Sequence, residues 1–567
     1  MDQGIQEAKD KLEVGFGPML NLYPDSIGGS LSGLVTLLKK HAFRDVFESM
    51  YILPSVFNTD LDRGFSVIDY ELNALLASKE DLEALKSMGM DFKFDFILNH
   101  ASVLSKPFQD IIKKGEQSIY KDFFINWNHF WEGMGQMTDE GYIQPDEALI
   151  KDMFFRKPGL PILNVRMPDG KEVPYWNTFY QEIRYNPIDA TDLMWSLDLQ
   201  YGQAQMIAET VNQGLLEGKK SSEINLDCMA SYKNKVVDYI ESHRKYLGQM
   251  DLNIKSPLVW DFYEDTFKKL AGYGAGIVRL DAFAYAPKAP GEKNFLNEPG
   301  TWDLLESVKA LADRFDLNLL PEIHSKYEEK IHEKIASKGF ITYDFFLPGL
   351  IIDAFENHSS THLVQWIRDL QTKNIQTVNM LGCHDGIPLL DLKGLLSEGQ
   401  IQNLIDVVVS RGGYVKDLHG KKNIYYQVNA TYYSALGEDD QKMLLARAIQ
   451  MFMPGKPQVW YLDLFAGKND YEAAKRAGAA GHKEINRTNL TIEEVEIRMS
   501  DQVVMKQLDL IRLRRTCPAF GLDGVLHIIE TKPHKLMLKW EKGHHSALLE
   551  ADLKSYVYSI TVSDTSK

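Results

Sequence analysis

Short apolar runs recur along the chain, with amphipathic stretches between several of them. The runs are Pro18–Tyr23, Met50–Leu53, Phe92–Leu98, Ile277–Leu280, Leu317–Leu320, Phe340–Phe346, Val378–Gly382 and Gln458–Tyr461. Trp302–Phe315 and Gln441–Phe452 carry apolar residues at helical spacing. Repeated alternation of strand and helix predicts a parallel sheet with helical crossovers. The number of runs predicts an α/β chain folded as a (β/α)8 TIM barrel. A doubly wound sheet would need a nucleotide-binding first turn. The glycines of GYGAG, Gly272–Gly276, precede their strand instead of following it, so they read as a helix stop and a connection.

Two stretches break the barrel rhythm. Between Asn99 and Ile277 lies far more chain than one crossover needs, which predicts an inserted domain after strand 3. It holds the aromatic Tyr120–Trp131 and the loop FFRKPGLP at Phe154–Pro161. Within it, residues 180–246 read as helical. Met206, Ile207, Val211 and Leu215 fit one face, Val236, Val237 and Ile240 another, and Gly218 with KKSS separates them. The second stretch, Ile387 to about Leu436, has glycine-rich turns and the polar patch Lys416–Lys422, and reads as a long loop after strand 7. Asp501–Arg514 reads as the closing helix, with a capping box at Thr491 and Glu494 just before it. Beyond Pro518 the pattern becomes Val525–Glu530, Leu536–Trp540, Ser546–Leu549 and Tyr556–Val562, with a turn at Lys542-Gly543-His544. The expected organisation is a barrel over 1–98, 251–386 and 437–515, an inserted domain over 99–250, a loop domain over 387–436, and a small C-terminal antiparallel β domain over 516–567.

Composition removes several function classes. The 567 residues carry 63 basic and 79 acidic side chains, a formal charge of −16. A general nucleic-acid binder needs a basic footprint, so an anionic substrate would need a local basic cluster. Cys228, Cys383 and Cys517 are odd in number and far apart, with neither a disulfide framework nor zinc spacing. The start of the chain lacks the apolar core of a signal peptide. No apolar run reaches the roughly 18 residues of a membrane span. A cytoplasmic location is the expectation.

Candidate chemistry gathers at the ends of the apolar runs, where barrel enzymes place reactive groups. Arg279 and Asp281 are two apart, so on a strand they share a face. A carboxylate beside a guanidinium stays ionised, as half of a structural ion pair or as a nucleophile. The third strand ends in Asp95…Asn99-His100, the fifth in Pro321-Glu322-Ile323-His324, and the seventh in Cys383-His384-Asp385-Gly386. Each histidine alone could be a satisfied polar residue. Three carboxylates at one mouth would repel one another without a compensating role. Retaining glycoside chemistry supplies one: it pairs an ionised nucleophile with a protonated acid about 5–5.5 Å away. Asp281 suits the nucleophile. Glu322, between apolar neighbours, suits an acid with a raised pKa. Asp385 could grip sugar hydroxyls, and His100 and His384 could donate to the same ring.

DFILNH, GIVRLDAFAY, LLPEIH and MLGCHD resemble the four signature regions of the α-amylase superfamily, glycoside hydrolase family 13. More of the chain is similar to the sucrose phosphorylases of that family. Matching pieces include DRGFSVIDY at Asp62–Tyr70, YKDFFINW at Tyr120–Trp127, TYDFFLPGL, YYQVNATYYSALG, MPGKPQVWYLDLFAGKND and EINR at Glu484–Arg487. The resemblance implies Asp281 as nucleophile, Glu322 as acid/base and Asp385 as transition-state stabiliser. It implies a glucose pocket of Asp62, Phe65, His100, Arg279, His384 and Arg487, lined by Tyr285, with Gln249 and Gln427 toward the sugar. Arg156, Lys157, His324 and Tyr426 would face phosphate on the acceptor side.

Two departures stand out. The family carries an Asp three residues before the glutamine that matches Gln427, where this chain has Ile424. The family's WxxF and QxD segments, Trp176–Phe179 and Gln249–Asp251, are separated by the helical insert. The expected activity is a retaining α-glucoside phosphorylase that gives α-glucose 1-phosphate from sucrose or a related small glucoside, such as a phosphorylated sucrose or glucosylglycerol. Ile424 weighs against sucrose itself. No metal or organic cofactor is called for. The expected partners are a small glucoside and inorganic phosphate, with no nucleic acid and no membrane; the insert could serve a homodimer. A hydrolase or transglucosidase on the same barrel is the alternative, and a non-catalytic amylase-like barrel the second.

Overall fold

The computed structural model describes residues 15–156, 159–417, 425–530 and 532–565. Its centre is a ring of eight parallel strands: β1 (Met19–Leu22), β2 (Ser49–Ile52), β3 (Asp91–Ile97), β4 (Ala275–Asp281), β5 (Asn318–Pro321), β6 (Thr342–Asp344), β7 (Thr377–Met380) and β8 (Lys456–Trp460). The hydrogen-bonded order is β5-β4-β3-β2-β1-β8-β7-β6, and β5 and β6 lie against each other to close the ring. Each falls on one of the apolar runs. These strands are covered on both faces, which is why they read as continuous apolar runs and not as alternation. Helices Pro257–Tyr273, Gly300–Asp313 and Asp440–Phe452 are among the crossovers. Gly274 ends the first of them in the left-handed conformation, φ +92°, where a side chain would be strained.

The register fixes which side chains meet inside the ring. Arg279 pairs with Asp95, and Asp281 with Ile97, across β4 and β3. Paired residues point to the same face, so the charges at 95 and 279 meet in the barrel interior. Lys93 lies deeper on β3 and donates to Gln458 at 2.7 Å and to Tyr343.

Residues 181–185 are not helical, contrary to the sequence pattern. Gln181–Tyr185 is a strand, antiparallel to Arg244–Asp251, which also pairs with His100–Ser102. A strand partner far along the chain overrides local pattern. Helices Ala190–Leu197, Tyr201–Leu216 and Lys233–Ser242 rise from this base. They bury Leu193, Ile207, Val211, Val236 and Ile240 in a cluster separate from the barrel core. Met206, assigned by periodicity to the buried face, is half exposed.

Two other sequence expectations change. Residues 387–436 are more than a loop: they hold a helix at Glu398–Ser410, capped by Ser397 and Gln400, and a hairpin of Tyr414–Asp417 with Tyr425–Asn429. The polar patch Lys416–Lys422 lies largely outside the described residues. The Thr491–Glu494 capping box exists, but it caps its own helix, Ile492–Arg498, and the closing helix follows at Gln502–Thr516. The tail forms a four-stranded antiparallel sheet, Val525–Ile528, Lys535–Lys542, His545–Asp552 and Tyr558–Asp564. Trp540 anchors it by donating from Nε1 to the Phe452 carbonyl at 2.8 Å. Among the described residues, no helix is long and apolar enough to cross a membrane.

Candidate active site

The carboxyl ends of β3, β4, β5 and β7 meet at one mouth. Arg279 is its hub. Its guanidinium lies 2.5 Å from Asp95, 2.7 Å from Asp281 and 2.9 Å from Glu322. Three adjacent strands thus contribute carboxylates to one buried cation. Asp95 is sealed and also accepts from Tyr51 at 2.8 Å, whereas Asp281 and Glu322 reach the cavity. Ala282, directly after Asp281, is left-handed at φ +53°, a conformation that costs a non-glycine residue energy and is found at functional sites.

Burial pushes the Asp281 carboxyl up, to about 8, against Arg279 and with help from Glu322 and Asp95. Arg279 alone therefore does not keep Asp281 ionised, contrary to the expectation from sequence. One guanidinium shared among three carboxyls does not offset their desolvation and mutual repulsion. The Asp281 carboxyl thus retains a proton near neutral pH before any ligand binds.

Asp385 has the opposite environment. Burial alone would raise it, but His384, Lys483 and Arg487 hold it well below the usual carboxylate range. Lys483 Nζ lies 2.5 Å away, His384 Nε2 3.3 Å and Arg487 3.9 Å. Gly386, at φ +141°, lets the chain turn away after Asp385; a Cβ there would sit 2.9 Å from the Val428 carbonyl oxygen.

Asp281, Glu322, Asp385, His384 and Lys483 line a cavity of about 960 Å³. On one side His384 stacks on Phe65, with ring centroids 5.0 Å apart and planes 14° apart. The Phe65 carbonyl binds His100 Nε2 at 3.1 Å and Gln249 Nε2 at 2.9 Å. Burial lowers the His100 imidazole to about 4, which leaves that ring neutral, and burial also pulls His384 well below its ordinary value, against the attraction of Asp385. On the other side, Arg156 donates to the Tyr285 hydroxyl at 3.1 Å and lies over the Phe179 ring at 4.8 Å. His324 stacks on Phe345 there, between Glu322 and Asp391.

Of the residues singled out from sequence, Asp281, Glu322, Asp385, Phe65, His100, Tyr285, His384, Gln249, Arg156 and His324 line this cavity. Arg279 and Arg487 stand behind it. Arg487 donates from Nε to the His384 carbonyl at 2.8 Å. Gln427 is buried on its hairpin strand but does not line the cavity. Lys157 and Ile424 lie outside the described residues, as do the side chains of Asp62 and Tyr426.

Sequence reasoning missed Lys483 and Asp391. Lys483 immediately precedes EINR, and that adjacency was the available signal. Asp391 had none, since it stands beyond the β7 end in an apolar stretch. Lys288 also acts unexpectedly. It is sealed in an ion pair with Asp251 at 2.8 Å and bonds Asn99 at 2.9 Å, tying the inserted segment to the ends of β3 and β4.

An eight-stranded barrel with acids on β4, β5 and β7 around one cavity is the arrangement of a glycoside-processing enzyme of the α-amylase fold. An α-amylase from H. orenii matches that fold with a TM-score of 0.56 at 14% identity, over 95% of this chain and 89% of the amylase. The sucrose 6(F)-phosphate phosphorylase of Ilumatobacter coccineus is 50% identical over 552 residues, 96% of this chain and 95% of that one. The crystal structure of a sucrose 6F-phosphate phosphorylase from Thermoanaerobacter thermosaccharolyticum matches with a TM-score of 0.79 at 32% identity, over 97% and 96% of the two chains. No protein-family model matches the chain. The chain belongs to the sucrose phosphorylase-type glucoside phosphorylases, hexosyltransferases of glycoside hydrolase family 13.

Proposed function

We propose that this enzyme transfers glucose from a phosphorylated sucrose to inorganic phosphate in two displacements. A carboxylate oxygen of Asp281 attacks the anomeric carbon while Glu322 gives its proton to the departing glycosidic oxygen. A phosphate oxygen then attacks the same carbon, its proton passes to Glu322, and the ester to Asp281 breaks. Two inversions retain the α configuration, and the product is α-glucose 1-phosphate. The geometry of the carboxyl pair supports this: Asp281 and Glu322 both line the cavity, and Arg279 lies 2.7 Å from one and 2.9 Å from the other. In the reaction the proton sits on Glu322 and Asp281 is ionised beside Arg279. Asp385, held anionic, can grip sugar hydroxyls and stabilise the cationic transition state. Phe65, His100, His384 and Gln249 form the glucose side, with Arg487 behind His384, and Arg156 and His324 the acceptor side; the family resemblance adds Asp62 and Gln427 to the first and Lys157 and Tyr426 to the second.

The observation that carries the choice of donor is the 50% identity, along almost the whole chain, with a sucrose 6(F)-phosphate phosphorylase. Two cationic groups on the leaving-group side, Arg156 and His324, support it, since a phosphorylated fructosyl group needs positive partners. The test offers sucrose 6′-phosphate, sucrose and glucosylglycerol separately with phosphate and measures glucose 1-phosphate. The phosphorylated donor is expected to lead in kcat/KM by at least tenfold. Equal or better use of sucrose refutes the donor, and glucose release that ignores phosphate refutes phosphorolysis.

A further inference from the structure

Asp391 is a carboxylate that the transfer reaction does not use. It sits in a short turn, Leu390–Leu392, beyond the end of β7, between the buried Leu389 and Leu392. Its side chain is 6% exposed. A carboxylate this deep is costly unless a cation or several donors meet it. Its hydrogen-bond partner among the described residues is His324, with Nδ1 2.8 Å from Oδ2. The His324 ring stacks on Phe345, with centroids 3.9 Å apart, which restrains its orientation. With Nδ1 committed to Asp391, Nε2 faces the cavity, 3.6 Å from Glu322 Oε1.

We propose that Asp391 is a positioning residue that holds His324 as a cation beside Glu322, and that this cation selects an anionic acceptor over water. The inference rests on the phosphorolytic reading above and adds the device that favours phosphate. The charged groups facing His324 are Asp391 from the turn after β7, Glu322 from β5 and Asp385 from β7; Arg279 and Lys483 stand behind the last two. Burial pulls the imidazole down, but Asp391, then Glu322 and Asp385, outweigh it and leave His324 above its ordinary value. Burial also pushes Asp391 up, which taken alone would favour a neutral pair. The direction we hold to is that of His324. Moving its proton to Asp391 would leave Glu322 and Asp385 facing a ring without charge. An imidazolium at this point meets an incoming phosphate with a charge-assisted donor, which water does not need.

The experiment uses α-glucosyl fluoride, a donor without a sugar leaving group, so its outcome is independent of which disaccharide is natural. Asp391→Asn keeps the size of the side chain and removes the charge. Its KM for phosphate is expected to rise at least tenfold, while hydrolysis without phosphate falls no more than about threefold. The alkaline limb of phosphorolysis is expected to move down by about one pH unit, because removing a carboxylate 2.8 Å away lowers the imidazole. Asp391→Glu is expected to restore part of the phosphate affinity. His324→Gln is expected to raise KM for phosphate at least as much as Asp391→Asn, and adding Asp391→Asn to it to raise that KM no further. Equal losses of phosphorolysis and hydrolysis, or an unmoved alkaline limb, overturn the role of Asp391 alone. Wild-type turnover indifferent to phosphate overturns the phosphorolytic reading, and this one with it.

Discussion

The two sides of the cavity are built differently. The proposed glucose side is made of residues at strand ends and of backbone tied to them. Phe65, His100, His384 and Gln249 are all buried, and one carbonyl, that of Phe65, binds two of the others. The proposed acceptor side is made of loop residues. Arg156 leans on two aromatic rings, Phe179 and Tyr285, and His324 depends on a turn more than sixty residues away in sequence. On the proposed reading, the sugar ring is read by the deeply packed side and the leaving group by loop residues that can change without disturbing the barrel.

The largest expected effect lies at the junction of the two sides. Asp281→Asn removes the attacking carboxylate, and kcat should fall by roughly four orders of magnitude for every donor. Retention of measurable burst or turnover near wild type would refute the mechanism. The same variant tests the electrostatics through stability. In the folded state Asp281 titrates at about 8, far above an unfolded aspartate. Between those two values the folded protein holds a proton that the unfolded chain does not, so stability falls as pH rises through this window. Asp281→Asn removes that dependence. Its melting temperature should exceed wild type by roughly 1–3 °C at pH 9 and match it near pH 4. An advantage that shrinks toward alkaline pH would contradict the raised carboxyl.

Lys483→Met should come next, with kcat/KM down roughly a hundredfold for all donors alike, because it uncovers the charge of Asp385 on the glucose side. A loss confined to one donor would place Lys483 on the acceptor side and blur the comparison. Arg156→Ala should raise KM for phosphate about tenfold and change the hydrolysis of glucosyl fluoride less than threefold. Equal losses in both would mean that Arg156 only props up Tyr285. The smallest kinetic effect is expected from the insert. Ile207→Ala opens its separate core and should cost about 2–4 kcal/mol locally, seen as faster proteolysis between 190 and 242, with donor preference within twofold. A larger change in donor preference would join the insert to the acceptor side.

The barrel was legible because its strands are buried on both faces and punctuate the chain as apolar runs. The acids were legible because each follows such a run directly. The insert was only half legible. Its helices carry their own periodicity, but Gln181–Tyr185 is a strand because Arg244–Asp251 pairs with it, and no local pattern announces a partner that distant. Met206 was misplaced for a related reason: helical spacing defines a face without saying how wide the buried stripe is.

By itself, the sequence determined the strand order of the reactive groups and the identity of the three carboxylates at the cavity. These follow from local chemistry, an apolar run ended by an acid. Only the tertiary structure decided their charges. Asp281 and Asp385 are the same residue type at equivalent strand ends. One is pushed up by burial with two other carboxyls around a single guanidinium, and the other is held down by a lysine, an arginine and a histidine. The difference comes from neighbours supplied by strands and turns distant in the chain. Coulomb energy depends on distance in space, which sequence spacing does not encode.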